Sequence, residues 1–561
     1  MSRDPAPVSR DPAPVTYDPA LMGRDPTPVT RSWATHRPRR RGPLVVVGDA
    51  LLDRDLDGRA ERLAPDAPVP VVDDPAERRR AGGAALAATL AAWEGREVVL
   101  VTALAADEAG VVLRALLERA GVEVVDLGLT GETPEKIRVR AGGRSLLRVD
   151  RGGRPGVVGP LGREGRGALG GAAAALVADY GRGVAAEPGV REALAGLPAR
   201  TPLVWDPHPR GPAPVPGARL ATPNRAEAAG FAPEVAGDGL AAVTARARAL
   251  AGRWAVAGVA VTLGAGGALL VEGAGAPLVV PAPAAAGGDP CGAGDRFAAA
   301  AAGLLADGAL PSEAVAGAVA AATAFVATGG AATVDLDIGQ VGLNMGRPGA
   351  PKPRPSLPGP PVGERGRAGS GVLAAVHSPD PPPTGGSPTG ASPTGASPTG
   401  ASPAGGSPME RALDLIGVVR AQGGTVVATG GCFDLLHAGH VATLRAARAL
   451  GDCLVVCLNS DDSVRRLKGL ERPLVPEADR VAVLEALGCV DAVVPFDERT
   501  PEAVLQRLRP DVFAKGGDYA LADLPEAALL ASWGGQAVVL PYLEGRSTTQ
   551  LMKEVVRRDS H

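Results

Sequence analysis

The sequence predicts an α/β protein of two blocks, each built on a largely parallel sheet. Three observations predict it. Short apolar runs alternate with alanine-rich helical stretches over residues 43–343 and again over 409–558, the pattern of βαβ units. Glycine turns follow key strand ends, where the active sites of such sheets gather. Two proline-rich stretches, 1–42 and 344–408, are too poor in apolar residues to bury a core and so delimit the blocks. At 561 residues the chain exceeds what one core supports.

In chain order, residues 1–42 repeat Arg-Asp-Pro-Ala-Pro-Val, first from Arg3 and Arg10, which predicts an extended, disordered tail. The first block opens on Leu44-Val45-Val46-Val47 and Gly48-Asp49, a buried strand ending in a turn. Further strands are expected at 98–102, 174–178, 203–206 and 259–262, and helices at 111–120 and 295–306. Ala314 to Val334 is uncharged over a membrane-spanning length, but Ala, Gly and Thr dominate it, which predicts a buried helix. The Ser-Pro-Thr-Gly-Ala repeats within 344–408 predict a flexible linker between independent domains. The second block predicts strands at 425–429, 454–458, 492–495, 512–514 and 537–540, with helices at 441–450, 477–487 and 501–508. It reads as a Rossmann-like sheet of ordinary domain size.

Net charge is −3, and basic residues cluster only in short runs such as Arg37, Arg39, Arg40 and Arg41. Nucleic acid is therefore not expected as a partner, nor is a membrane. The five cysteines, Cys291, Cys432, Cys453, Cys457 and Cys489, follow no disulfide spacing. With no signal peptide read at the N-terminus, a cytoplasmic location is expected. Lysine occurs only at Lys136, Lys352, Lys468, Lys515 and Lys553; in a chain that favours arginine, a lysine marks a place that needs a compact point charge.

The strongest chemical signal runs from Gly430-Gly431-Cys432-Phe433-Asp434 to His437-Ala438-Gly439-His440. A strand, a glycine turn and a helix start present free backbone N–H groups and a positive helix end to an anion. The two imidazoles, three residues apart, are placed to hydrogen-bond a phosphate under attack. A metal half-site is the competing reading, but no cysteine or acidic cluster nearby completes one with zinc-like spacing. In the first block, Asp289-Pro290-Cys291-Gly292-Ala293-Gly294-Asp295 precedes a helix. Its small residues let backbone N–H groups wrap an anion, and Asp295 can take a proton from an attacking hydroxyl.

These motifs carry resemblances. The first block resembles the ribokinase-like carbohydrate kinases. That likeness implies an anion hole at Gly292, Ala293 and Gly294 with Asp295 as base, an ATP site at Thr262, Gly264 and Gly267, and organisation of Mg²⁺ and phosphate by Asn224 and Glu227. The early glycine pair is Gly82-Gly83. Gly48-Asp49 through Asp55, Arg62 to Val72 and Thr133 to Arg138 resemble the heptose 7-phosphate kinases, which implies a sugar site with Asp49, Asp53, Gly82, Gly83, Lys136 and Arg138. Where that family has Asn and Thr, this chain has Leu86 and Cys291.

The second block is similar to the cytidylyltransferase-like nucleotidyltransferases. Through Asn459 to Asp461, Lys468, Arg472, Lys515-Gly516 and Ser547-Thr548 it resembles the adenylyltransferase half of the bifunctional heptose 7-phosphate kinase and heptose 1-phosphate adenylyltransferase family. The likeness implies His437, His440 and Lys468 in catalysis. It places Gly431, Cys432, Phe433, Asp434, Arg480, Lys515, Gly516, Ser547 and Thr548 at the nucleotide. The expected partners are ATP, with Mg²⁺ carried by it and no protein-held metal, and heptose phosphates; a homo-oligomer is compatible with this reading. Three alternatives stay open: a kinase half that is only a scaffold, a different sugar or CTP as substrate, and a nucleotide-binding regulator without turnover.

Overall fold

A computed structural model describes residues 42–334, except 143, 153–155 and 284–287, and residues 406–541, except 517–523. Ser547 and Thr548 lie outside the described residues, as do the tail and almost all of the linker.

Among the described residues the strands form a 14-stranded sheet, a four-stranded sheet and a two-stranded ribbon. In the first block the large sheet runs in the order Val122–Asp126, Val98–Thr102, Leu44–Gly48, Ala174–Ala178, Leu203–Asp206, Leu220–Ala221, Gly258–Thr262, Ala268–Glu272 and Leu278–Val280. All neighbours are parallel up to Gly258–Thr262, and the last two strands form an antiparallel meander. Leu44–Gly48 is buried along its whole length, as expected for a strand covered by helices on both faces. In the second block Gln536–Leu540, Val512–Gly516, Val426–Gly431, Cys453–Asn459 and Ala492–Phe496 lie side by side, all parallel.

The helices depart from the sequence expectation mostly at their starts, because caps set them. The one expected at 111–120 begins at Glu108, where the Asp107 carboxylate accepts the Gly110 N–H at 2.8 Å. The one expected at 441–450 is Ala438–Arg448, capped by His437. The buried helix expected near 314–334 is Pro311–Ala327, entered by proline, with Glu313 in its first turn accepting the Leu310 N–H at 2.7 Å. No described helix is long and apolar enough to cross a membrane.

Two features had no clear sequence signal. The four-stranded sheet, ordered Pro70–Gly83, Ala50–Leu63, Glu135–Ala141 and Arg144–Arg151, is rich in charge and lacks apolar alternation. Ion pairs between its strands hold it: Arg54 with Glu77 at 2.6 Å and Glu135 at 2.8 Å, and Arg80 with Asp55. The second is the seam between the blocks. Leu278–Val280 and Gln536–Leu540 are parallel neighbours, so the two sheets are continuous where independent domains were expected.

Candidate active sites

The first site sits where strands of the large sheet end and the small sheet covers them. Gly292, at φ 79°, turns the chain into the helix Ala293–Ala306 and places Asp295 in its first turn. A Cβ on Gly292 would meet Leu86 Cδ2 at 2.8 Å, so the backbone of this glycine turn lies directly on that leucine. Leu86 belongs to a small core with Leu90, Phe325, Ala331 and Val334, against which Cys291 packs. The substituted leucine thus supports the loop from beneath.

Asp295 is buried, and its Oδ1 accepts the Tyr180 hydroxyl at 2.6 Å. Burial pushes its carboxyl up to about 7, against the opposing Tyr180 hydrogen bond and the Lys136 charge, while Asp53 adds to the rise. A carboxylate near neutrality both accepts a proton readily and is ionised in useful amount. Lys136 lies 5.0 Å above the Tyr180 ring, and burial pushes its ammonium down. Arg138 donates to Asp53 at 3.0 Å and reaches the Cys291 sulfur at 3.7 Å. Asp53, Lys136 and Arg138 come from the small sheet. Gly82 backs this group: a Cβ there would meet Asp53 Oδ2 at 2.7 Å.

Other expected residues are placed differently. Both oxygens of Asp49 are taken by the backbone N–H groups of Tyr180, Arg182 and Val184, at 3.1, 2.9 and 3.0 Å. Asp49 therefore shapes the loop that carries Tyr180 and does not offer a free carboxylate to the sugar. Gly83, at φ 61°, allows the close pass of the chain over the Asp49 carbonyl. Asn224 and Glu227 cap each other, Asn224 accepting the Glu227 N–H at 2.9 Å and Glu227 the Asn224 N–H at 2.8 Å. Asn224 bridges to Thr262, which brings this cap beside the turn Gly264–Gly266. At Gly267 a Cβ would meet the Val280 carbonyl at 2.0 Å, so only glycine lets that turn close on the neighbouring strand.

Sequence reasoning missed Tyr180 and Asp206. Each follows or ends a buried strand, and polar residues at strand ends were the available signal. Asp206 accepts the Thr222 hydroxyl at 2.8 Å and is held well above the usual carboxylate range by burial and by Asp295. The Tyr180 contact yields a prediction. Its hydroxyl stabilises ionised Asp295, so Tyr180→Phe raises the Asp295 pKa further. With Asp295 as the expected base, active when deprotonated, the acidic limb of the phosphoryl-transfer pH profile should move to higher pH. An unmoved limb in initial rates from pH 5.5 to 9 would show that Tyr180 only fills space.

The second site is the turn between Val426–Gly431 and Ala438–Arg448. His437 is the N-cap, its Nδ1 accepting the Gly439 N–H at 3.1 Å, which fixes the tautomer with the proton on Nε2. The His437 and His440 rings stack with centroids 3.9 Å apart, and Phe433 lies 5.3 Å from His440. Burial first, then the neighbouring His437 ring and the Lys468 ammonium, push His440 down to about 4. It is neutral at pH 7. Lys468 is exposed at the end of the helix Asp461–Lys468. Lys515 ends Val512–Gly516 and pairs with buried Glu526 at 3.2 Å. Gly516 allows that strand to approach the helix, since a Cβ would meet Thr443 Cγ2 at 2.6 Å.

Two expected nucleotide ligands are engaged in internal contacts. Arg480 is buried, and its guanidinium donates to the carbonyls of Val475 at 3.0 Å and of Cys432 and Asn459 at 2.7 Å, and to Asp461 at 2.7 Å. It is a strut beneath the glycine turn, with four of its five N–H donors engaged inside the protein. Asp434 accepts the Leu474 and Val475 N–H groups at 2.7 and 2.9 Å and pairs with Arg472, so it anchors the loop after Gly469. Arg480→Leu should destabilise the second block by about 3 kcal/mol, the scale for removing one partner of a buried charge network. Urea unfolding followed by Trp533 fluorescence measures it, and a loss below ~1 kcal/mol would contradict the strut assignment.

Among the described residues no three His, Cys, Asp or Glu side chains converge to hold a metal ion. The donors in both sites are backbone N–H groups, imidazoles, lysines and an arginine, a set that suits phosphate.

Comparison with known proteins agrees with this arrangement. The family model for pfkB carbohydrate kinases matches residues 201–338, and the cytidylyltransferase-like model matches 428–549. The chain is 57% identical over 514 residues to the Bifunctional protein HldE of Streptomyces coelicolor, covering 91% of this chain and 96% of that protein. The proteins of the same name from Azorhizobium caulinodans and Halorhodospira halophila are each 36% identical. They cover 91% and 92% of this chain and 97% of their own lengths.

Proposed function

This chain belongs to the family of bifunctional HldE proteins, and on that premise we propose the reactions of its two sites. It is a transferase with a carbohydrate-kinase half and a nucleotidyltransferase half, and it uses a nucleotide and a sugar phosphate. We assign residues 43–343 and 409–558 to these halves. The first makes heptose 1,7-bisphosphate from heptose 7-phosphate and ATP; the second makes ADP-heptose and pyrophosphate from heptose 1-phosphate and ATP. A separate phosphatase must act between them, since the second acceptor lacks the 7-phosphate.

In the kinase site Asp295 takes the proton of the anomeric hydroxyl as that oxygen attacks the γ-phosphorus. The backbone N–H groups at 292–294 and the helix end hold the transferred phosphoryl group. Lys136 and Arg138 bind the 7-phosphate. In the transferase site a phosphate oxygen of the sugar attacks the α-phosphorus of ATP. His437 and His440 donate hydrogen bonds to the charge that develops there, and Lys468 and Lys515 draw off charge toward the departing pyrophosphate. ATP arrives as its Mg²⁺ complex, and the metal supplies charge neutralisation of the triphosphate.

The single observation that carries this reading is the contrast between the sites. One holds a carboxylate tuned to about 7 at a helix end, as proton abstraction requires. The other holds two stacked imidazoles at a helix end, as stabilisation of an already ionised nucleophile requires. A panel of sugar phosphates with ATP or CTP tests it. Turnover should be best with heptose 7-phosphate in the kinase assay and with heptose 1-phosphate plus ATP in pyrophosphate release; preference for CTP or for another sugar would overturn the substrate assignment.

A further inference from the structure

The strand Leu278–Val280 is the edge of the kinase half's own sheet. It is short and uncharged, and all three of its side chains are buried, at 5%, 0% and 5% exposure. Edges left open to solvent are usually guarded by charge, proline or a bulge, because unpaired N–H and C=O groups recruit other strands. Pro277 and Pro281 bracket this edge, but its three residues themselves carry neither charge nor bulge.

Its cover is the transferase half. Leu278 is in register with Val539, the Val539 N–H donates to the Pro277 carbonyl at 3.0 Å, and Gln536 Nε2 donates to Thr244 Oγ1 at 2.6 Å. On one face of the sheet Leu524, Ala537 and Val539 share a core with Leu278 and Val280. On the other, Val538 and Leu540 share a core with Val279 and Val271. Apolar packing therefore crosses the seam on both faces, and backbone pairing crosses it between them.

We infer that Gln536–Leu540 is the built-in partner of Leu278–Val280, so that the two catalytic halves are docked within one chain through a shared sheet. The parallel pairing has a consequence for the sites. Leu278–Val280 runs parallel to the kinase's central strands, and Gln536–Leu540 runs parallel to every strand of the transferase sheet. Both sets of strand carboxyl ends, and with them both active sites, face the same edge of the joined sheet. The chain that leaves Val280 leads on to the anion-hole turn at Gly292, so the seam adjoins the kinase's phosphate loop in sequence.

The test uses the full chain. Paired strands lie about 4.8 Å apart, within disulfide reach, so the double variant Leu278→Cys, Val539→Cys should form an intramolecular disulfide on mild oxidation. Peptide mapping would locate it among the five native cysteines. A disulfide between two chains would give the edge to a second copy, and no disulfide would remove the docking; either result overturns the proposal. Should that variant fail to fold, Thr244→Arg, which sets a bulky charge against Gln536, decides. Amide exchange at Val539 should be slow in the native chain and more than tenfold faster in this variant, with Cys453–Asn459 unchanged. Equal exchange at Val539 in the two proteins would overturn the docking.

Discussion

His440→Ala should reduce pyrophosphate release from ATP and heptose 1-phosphate by about 10²- to 10³-fold in kcat, the scale for losing one preorganised donor to a developing oxyanion. The expectation rests on placement. His440 lies in the first turn of its helix, stacked at 3.9 Å on His437, and is kept neutral at pH 7 chiefly by burial, with His437 and the Lys468 ammonium adding to it. A buried neutral imidazole costs little to hold before substrate arrives, and it binds most tightly the state with the most negative charge. The loss should therefore fall on kcat, with KM for ATP changed little. The kinase reaction of the same variant should keep its wild-type rate. Equal loss in both reactions would mean that the substitution unfolds the chain, and an unchanged kcat would return the protein to the class of nucleotide-binding regulators.

The second large effect is the mirror image. Asp295→Asn should lower phosphorylation of heptose 7-phosphate by about 10²- to 10⁴-fold, the range for removing a general base, and leave ADP-heptose formation intact. Asparagine can still accept the Tyr180 hydroxyl, so the helix start is preserved while proton abstraction is lost. Initial rates of ADP release give the result, and a variant retaining more than about one tenth of the wild-type rate would exclude Asp295 as the base.

The strand, turn and helix framework was legible because buried parallel strands are near-continuous apolar runs, as Leu44–Gly48 and Cys453–Asn459 show. The glycine turns were legible for a related reason: Gly292 and Gly267 occupy positions where a side chain would collide with its surroundings. What stayed hidden depends on partners distant in sequence. The covering sheet is held by ion pairs such as Arg138 with Asp53, 85 residues apart, which no local pattern encodes. Tyr180 meets Asp295 across 115 residues. Arg480 looks from its motif like a phosphate ligand, and only the packed structure shows four of its five donors engaged by Cys432, Asn459, Val475 and Asp461. Leu86 was similarly ambiguous: as a departure from the kinase pattern it suggested a lost polar contact, but it lies in the core under the Gly292 turn.

The central claim is that one chain carries two separate phosphorus chemistries. Phosphorus NMR of the wild-type protein tests it most directly, with ATP and either heptose 7-phosphate or heptose 1-phosphate in parallel tubes. The account predicts an anomeric phosphate resonance and ADP in the first tube, and pyrophosphate with a sugar-linked diphosphate in the second. Pyrophosphate in the second tube with no bisphosphate in the first would contradict it, leaving the kinase half as a scaffold for the transferase.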